Sequence, residues 1–231
     1  MKISIISDPH NKYNKLSLPG GDVIICAGDM SSRGYDHEID NFCKWFDKQD
    51  YAHKIFIAGN HDFYFENKPK EAAELMKSYE NLNYLQDDMY LIGDDYAESI
   101  KVWGSPWQPR FYNWAFNVDR GEALKAKWDL IPSGIDILIT HGPPFGILDK
   151  VIGRSENLGC EELIKKIKEI KPKIHVFGHI HSGYGYFFDG DTHYINASVL
   201  DERYDQNYQP LSIEWDPKTN QLEFLDIKKP E

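Results

Sequence analysis

Five short, β-branched apolar runs punctuate the chain, and each one ends in residues of metal-ligand type. Ile3-Ser4-Ile5-Ile6 leads to Asp8-Pro9-His10, Val23-Ile24-Ile25-Cys26-Ala27 to Gly28-Asp29, and Ile55-Phe56-Ile57-Ala58 to Gly59-Asn60-His61-Asp62. Ile135-Asp136-Ile137-Leu138-Ile139 leads to Thr140-His141-Gly142, and Ile174-His175-Val176-Phe177 to Gly178-His179-Ile180-His181. Runs of this kind read as buried strands. If all five lie in one mostly parallel sheet, their carboxyl ends share one edge, and residues distant in sequence converge in a crevice. An ordinary core has no use for so many polar groups at strand ends.

The clusters run from the first strand to beyond the three-quarter point of 231 residues. A domain boundary between them would divide one site, so residues 1–231 are expected to form a single α/β domain. Hydrophobic content of 41% and charged content of 27% are those of a soluble globular chain. A net charge of −11 argues against a stable nucleic-acid complex, which needs clustered Lys and Arg. Cys26, Cys43 and Cys160 lack C-x-x-C spacing and read as buried small hydrophobes in a reducing compartment. The apolar stretch from Met1 to Ile6 is too short for a signal-peptide core, and no run is long enough to span a bilayer. A cytoplasmic protein without a membrane anchor is the expectation.

Helical spacing of Ile39, Phe42, Cys43 and Phe46 predicts a helix within 31–49, and a second is expected over 69–79 with Ala72, Leu75, Met76 and Tyr79 inward. Between Asn83 and Trp107 short alternating runs predict antiparallel strands of a second sheet. Helices are expected over 115–128 and 160–170, the latter closed by Pro172. Two hairpins follow, over 184–195 around Asp189-Gly190-Asp191 and over 211–227 around Asp216 to Asn220. This order implies two sheets with helices on their outer faces.

Paired divalent cations about 3.5–4 Å apart can clamp a phosphoester and generate a nucleophile at neutral pH. They require a shared carboxylate and mixed nitrogen and oxygen ligands. Asp29, alone after Gly28, is the natural bridge. Asp8, His10 and one late histidine would complete one site, and Asn60, His141 and the other late histidine the second. His61 is then free to face the substrate. Each element alone is weak, since a D-x-H or G-N-H-D also makes a polar turn or a cap. The ordered conjunction is the signal.

Asp8, His10, Gly28-Asp29, Gly59-Asn60-His61-Asp62, His141 and Gly178-His179-x-His181 together resemble the calcineurin-like metallophosphoesterase superfamily. Trp103-Gly104-Ser105-Pro106-Trp107-Gln108-Pro109, Thr140-His141-Gly142-Pro143-Pro144, His175-Val176-Phe177-Gly178 through Gly183-Tyr184-Gly185, and Tyr194-Ile195-Asn196-Ala197-Ser198 are similar to its small metallophosphoesterase-domain branch, which includes vertebrate brain members. The resemblance implies a four-layer αββα sandwich, two mixed sheets flanked by helices, with a dinuclear metal site at the strand carboxyl ends. It implies Asp8, His10, Asp29 and His181 at one metal, and Asp29, Asn60, His141 and His179 at the other. It gives His61, supported by Asp62, the leaving oxygen. Some vertebrate relatives carry glycine at the position of His179, so histidine there implies a competent enzyme.

The expected activity is a metal-dependent phosphodiesterase acting on small aryl or cyclic nucleotide diesters through a metal-bridging hydroxide. Mn²⁺ is the expected metal, with Fe, Zn²⁺, Ni²⁺ and Co²⁺ chemically suited as well. The alternatives are a phosphomonoesterase or protein phosphatase, and a non-catalytic, metal-stabilised binding module. Arg33, in Gly28-Asp29-Met30-Ser31-Ser32-Arg33-Gly34, sits where phosphoprotein phosphatases grip phosphate, although Ser32 replaces their acidic residue. Arg33 and Asn60 are therefore candidates for substrate contact, and an exposed surface arginine fits Arg33 equally. Trp107, Phe111, Tyr112, Trp114 and Phe116 read either as a stacking wall or as a second hydrophobic cluster. Asn196 reads as a ligand-orienting group or a turn cap. His37, His53, His175 and His193 read as surface or core histidines.

Overall fold

A computed structural model describes residues 1–225 of the chain. Its strands and helices run in the order β1 (Lys2–Ile6), β2 (Gly21–Cys26), α1 (Asp36–Asp47), β3 (Tyr51–Phe56), α2 (Phe63–Asn67), α3 (Pro69–Met76), β4 (Leu82–Tyr84), β5 (Asp88–Ile92) and β6 (Ile100–Ser105). There follow β7 (Gln108–Pro109), β8 (Asn117–Val118), α4 (Glu122–Trp128), β9 (Ile137–Thr140), α5 (Glu161–Ile170), β10 (Ile174–Phe177), β11 (Gly185–Phe188), β12 (His193–Asn196), β13 (Leu211–Asp216) and β14 (Gln221–Phe224).

The five ligand-bearing strands do not share one sheet. β1, β2 and β3 sit in a six-stranded sheet of order β14-β13-β1-β2-β3-β4, and β9 and β10 in another of order β11-β12-β10-β9-β6-β5. In each, four neighbouring strands are parallel, with antiparallel strands outside them. The crevice therefore forms between two stacked sheets, three ligand loops coming from one and two from the other.

Side-chain alternation along each strand builds the layers. Ile3 and Ile5 of β1, Val23 and Ile25 of β2 and Ile55 of β3 meet Ile137, Ile139, Ile174 and Val176 between the sheets. Ile6, Ile24, Cys26 and Phe56 point the other way, against Phe42 and Phe46 of α1 and Ala72 of α3. Leu138, Phe177 and Tyr194 pack on Leu124, Trp128, Leu163 and Ile167 of α4 and α5. Each fully buried isoleucine contributes roughly 1.5–3 kcal/mol of transfer free energy, which makes this interlayer core a main source of cohesion between the sheets. The order of layers is helix, sheet, sheet, helix.

Beyond β1 the Ser7 amide donates to the Ala197 carbonyl and the Val199 amide to the Ser7 carbonyl, at 2.8 and 2.9 Å. This parallel bridge joins the carboxyl edges of the two sheets beside the ligand loops. Three expectations need correction. Leu82–Tyr84 is a parallel strand of the first sheet, not part of an antiparallel second one. The helix expected over 115–128 begins only at Glu122, because Ala115 and Phe116 are drawn into the core and Asn117–Val118 pairs with β7. A short helix, α2, directly follows Asp62 and was not expected. The end of the last hairpin, to Ile227, lies outside the described residues. Among the described residues no helix is long and apolar enough to cross a membrane.

Candidate dinuclear metal centre

Every ligand-type residue singled out by sequence reaches the same edge. Asp8, His10, Asp29, Asn60 and His141 are buried, and His61 stays partly open. Asp8, His10, Asp29 and His179 have positive φ, of 55°, 39°, 52° and 66°. Non-glycine residues occupy that region at a cost, and such strain collects at functional sites where the surrounding structure enforces it. The turns aim these side chains back over the strand ends.

The glycines in front of the ligands are needed for close approach. A Cβ on Gly59 would stand 2.3 Å from Asp29 Oδ1, and one on Gly178 would stand 2.0 Å from Asp8 Oδ2. The carboxylates lie directly against the neighbouring loops. The His179 amide donates to Asp8 Oδ2 at 2.9 Å, Ser198 Oγ donates to the same oxygen at 2.7 Å, and the His61 amide donates to Asp29 Oδ1 at 2.7 Å.

Four of the imidazoles share one orientation. Nδ1 of His10, His61, His141 and His181 lies against the carbonyls of Ser31, Ser32, Ala27 and Asp201, at 3.2, 2.8, 2.9 and 2.8 Å. A proton on Nδ1 satisfies each carbonyl and leaves Nε2 facing the centre. There Nε2 of His10, His61 and His141 stands 3.8, 4.0 and 3.4 Å from Asp29 Oδ2, and that of His181 stands 3.7 Å from Asp8 Oδ1. His10 Nε2 is buried with no hydrogen-bond partner. Three overlapping groups of donor atoms result: Asp8, His10 and His181; His10, Asp29 and His61; Asp29, His141 and His179. Asn60 Oδ1 adds a further oxygen 2.9 Å from His141 Nε2.

The two buried carboxylates draw positive charge to this point. Burial opposes ionisation of Asp8, yet the hydrogen bond and charge of His181 and the charge of His141 hold it below the ordinary carboxylate range. Burial likewise opposes Asp29, which His141 and His61 pull well down. Burial would lower His141 and His181, but Asp29 acting on the first and Asp8 on the second raise each to about 9. Burial wins at His10 and His179, both pushed down to about 4 and so neutral near pH 7. Two ionised buried carboxylates surrounded by inward-turned imidazole nitrogens, one without a partner, fit divalent cations well.

Asp62 does not touch the His61 ring. Its carboxylate accepts from the amides of Gly59 and Ser31 at 2.7 and 3.0 Å and from Ser31 Oγ at 2.6 Å, tying two ligand loops together. Burial and the charge of Asp29 raise it to about 6. Arg33 is exposed and lines a cleft with His10, His61 and Trp114. The aromatic segment divides between both readings. Trp114 stacks on His61 with centroids 4.1 Å apart and Phe111 stands 6.3 Å from His179, whereas Phe116 is buried against Trp107.

Asn196 donates to the Ile180 carbonyl and accepts from the Ser198 amide, bracing the loop that carries His179 and His181. His37, His53, His175 and His193 join none of the donor groups. The sequence reading missed Tyr204, whose ring lies 4.9 Å from His10 and 5.2 Å from His181. No periodicity marks it, because it sits in an irregular loop.

Residues 1–183 match the family model of calcineurin-like phosphoesterases. Over 228 residues the chain is 41% identical to metallophosphoesterase domain-containing protein 1 of Homo sapiens, covering 90% of this chain and 67% of that protein. It is 38% identical to a UPF0046 protein of Caenorhabditis elegans, covering 94% of this chain and 61% of the relative. The solved structure of TT1561 of Thermus thermophilus shares the fold, with a TM-score of 0.65 over 98% of this chain and 99% of that one at 16% identity. The chain belongs to the calcineurin-like phosphoesterase family. It is a phosphoric ester hydrolase of the metal-dependent kind, carrying a His/Asp cluster suited to divalent metal.

Proposed function

We propose that this hydrolase is a phosphodiesterase for small aryl or nucleotide diesters, including cyclic ones, and that residues 1–231 act as one domain. Asp8, His10, Asp29 and His181 would hold one divalent cation and Asp29, Asn60, His141 and His179 the other, with Mn²⁺ the metal for activity. When bound, such a pair supplies Lewis acidity toward phosphoryl oxygens and lowers the pKa of water.

The protein's own groups do the rest. Asp29 would be the ligand common to both cations, since its Oδ2 faces His10, His61 and His141 together. His61 is anchored through Nδ1 to the Ser32 carbonyl, which leaves Nε2 to carry a proton to the leaving oxygen. Trp114, stacked on its face, fixes the plane of the ring. Asp62 positions the loops that present Asp29 and His61, and Arg33 meets a non-bridging phosphoryl oxygen.

The observation that carries this reading is the orientation of His61. Its Nε2 turns to the shared carboxylate while its ring borders an open cleft with aromatic walls, as expulsion of a bulky alkoxide or aryloxide requires. The exposed Arg33 in that cleft favours a second reading, a phosphomonoesterase or protein phosphatase. Hydrolysis of bis-p-nitrophenyl phosphate and p-nitrophenyl phosphate by metal-stripped protein, with and without Mn²⁺, separates the two. The diester reading expects Mn²⁺-restored turnover that is faster on the diester; a faster monoester rate would replace it with the second reading.

A further inference from the structure

Two clefts meet at Tyr204. One, of about 400 Å³, is bounded by His10 and His61 together with Arg33, Tyr35, Phe63 and Trp114. The other, of about 540 Å³, is bounded by His179 and His181 together with Arg110, Phe111, Arg120 and Arg154. Each has the size of a small-molecule site.

The arginines of this acidic chain are not scattered. Of Arg33, Arg110, Arg120, Arg154 and Arg203, the first four line these clefts and the last adjoins Tyr204. Two of them are committed to structure. Arg110 pairs with Asp119, and Arg120 holds Glu161 and the carbonyls of Leu158 and Gly159. Among the described residues, the guanidinium groups of Arg33 and Arg154 have no ion pair, leaving one uncommitted fork in each cleft. Of the three arginines bounding the larger cleft, Arg154 alone is without an ion pair among the described residues, and Glu202 is the carboxylate that borders it.

We propose that the two clefts bind different arms of one phosphodiester: a flat aromatic leaving group against Trp114, and a retained arm bearing a second phosphate at Arg154. The assignment rests on the phosphodiesterase reading and on the position of His61. A proton on His61 Nε2 can reach only an oxygen whose substituent enters the cleft that His61 lines. Tyr35, Phe63 and Trp114 form the aromatic surface there, suited to stacking an aryl or nucleobase group. The arm that stays on phosphorus then leaves across His179 and His181 into the second cleft. Arg154 stands free there to take two oxygens of a terminal phosphate.

Calorimetric titration of Mn²⁺-loaded protein with thymidine 5′-phosphate and thymidine 3′,5′-bisphosphate tests the anion site without turnover. The bisphosphate is expected to bind about tenfold more tightly, a difference of about 1.4 kcal/mol. Arg154→Gln should reduce that preference to less than about twofold, Arg154→Lys should keep part of it, and both should melt at the wild-type temperature. Equal affinities in the wild type would overturn the proposal. So would a preference that survives Arg154→Gln, or one lost to the same extent in Arg33→Gln. Failure of the wild type to hydrolyse bis-p-nitrophenyl phosphate would sink the phosphodiesterase reading and the leaving-group half of the proposal. An Arg154-dependent preference would support the anion site even then.

Discussion

His141 and His175 are both fully buried, one just past the end of β9 and the other within the adjacent parallel strand β10, yet they are opposite kinds of histidine. Burial alone pushes His175 down to about 3. At His141 the same burial is overcome by the Asp29 carboxylate 3.4 Å away, and the imidazole is raised to about 9. His141 has a carbonyl behind it and carboxylates in front. His175 has the Thr140 hydroxyl at Nε2, 2.8 Å away, and nothing at Nδ1. Burial therefore does not by itself set the state of a histidine; at His141 a backbone acceptor behind the ring and an anion before it turn Nε2 toward the donor cluster.

Removing the anion should break the contrast most severely. Asp29→Asn is expected to abolish turnover, by on the order of 10³-fold or more, and to empty both metal positions in elemental analysis. With both proteins stripped of metal, His141 of the variant should titrate well below that of the wild type by NMR, toward the behaviour of His175. Full metal content with substantial turnover would remove Asp29 from the bridge.

His61→Ala should act on the opposite axis. We expect turnover to fall by about 10² to 10⁴ with metal content unchanged, the signature of a lost proton donor. His61 also belongs to a donor group with His10 and Asp29. Parallel loss of metal and turnover would therefore reassign it as a ligand. Gly178→Ala should have a smaller effect. The new Cβ would lie 2.0 Å from Asp8 Oδ2 and 2.1 Å from Ser7 Oγ, so the loop must retreat, costing about 1–3 kcal/mol of stability and loosening metal retention. Wild-type melting and metal content would show that the loop yields without moving Asp8.

The same contrast explains what the sequence could disclose. Asp8, His10, Asn60, His141, His179 and His181 were legible because each follows a β-branched run, and strand ends are where parallel sheets gather ligands. The division of those strands between two sheets was not, since a buried parallel strand has the same residue pattern in either sheet. The carbonyls that orient the rings belong to Ser31, Ser32, Ala27 and Asp201, and a backbone acceptor has no residue-type signature. The late start of α4 was hidden because Ala115 and Phe116 are as apolar as a helix face and are buried for another reason. Asp62 kept its place beside His61 in sequence, but its hydrogen bonds run to the loops instead of the ring.

The smallest effect is expected where the contrast began. The Thr140 hydroxyl donates to the Gly142 carbonyl at 2.8 Å, so its oxygen accepts from His175 Nε2–H and Nδ1 is left bare. A second proton on that ring would be a buried charge with no acceptor. The unfolded chain takes the proton near pH 6.5 and the folded chain only near pH 3, so between these values the unfolded state binds more protons. His175 therefore costs stability progressively as pH falls from about 6.5 toward about 3, and costs nothing above that window. His175→Leu removes the proton site and leaves the Thr140 to Gly142 bond in place. Urea midpoints at pH 7 and pH 4.5 should lie closer together in His175→Leu than in the wild type, with turnover at pH 7 within about twofold. An equal pH dependence in both proteins would mean that the buried ring finds an acceptor for its second proton, and the distinction between His175 and the histidines turned toward Asp8 and Asp29 would lose its electrostatic basis.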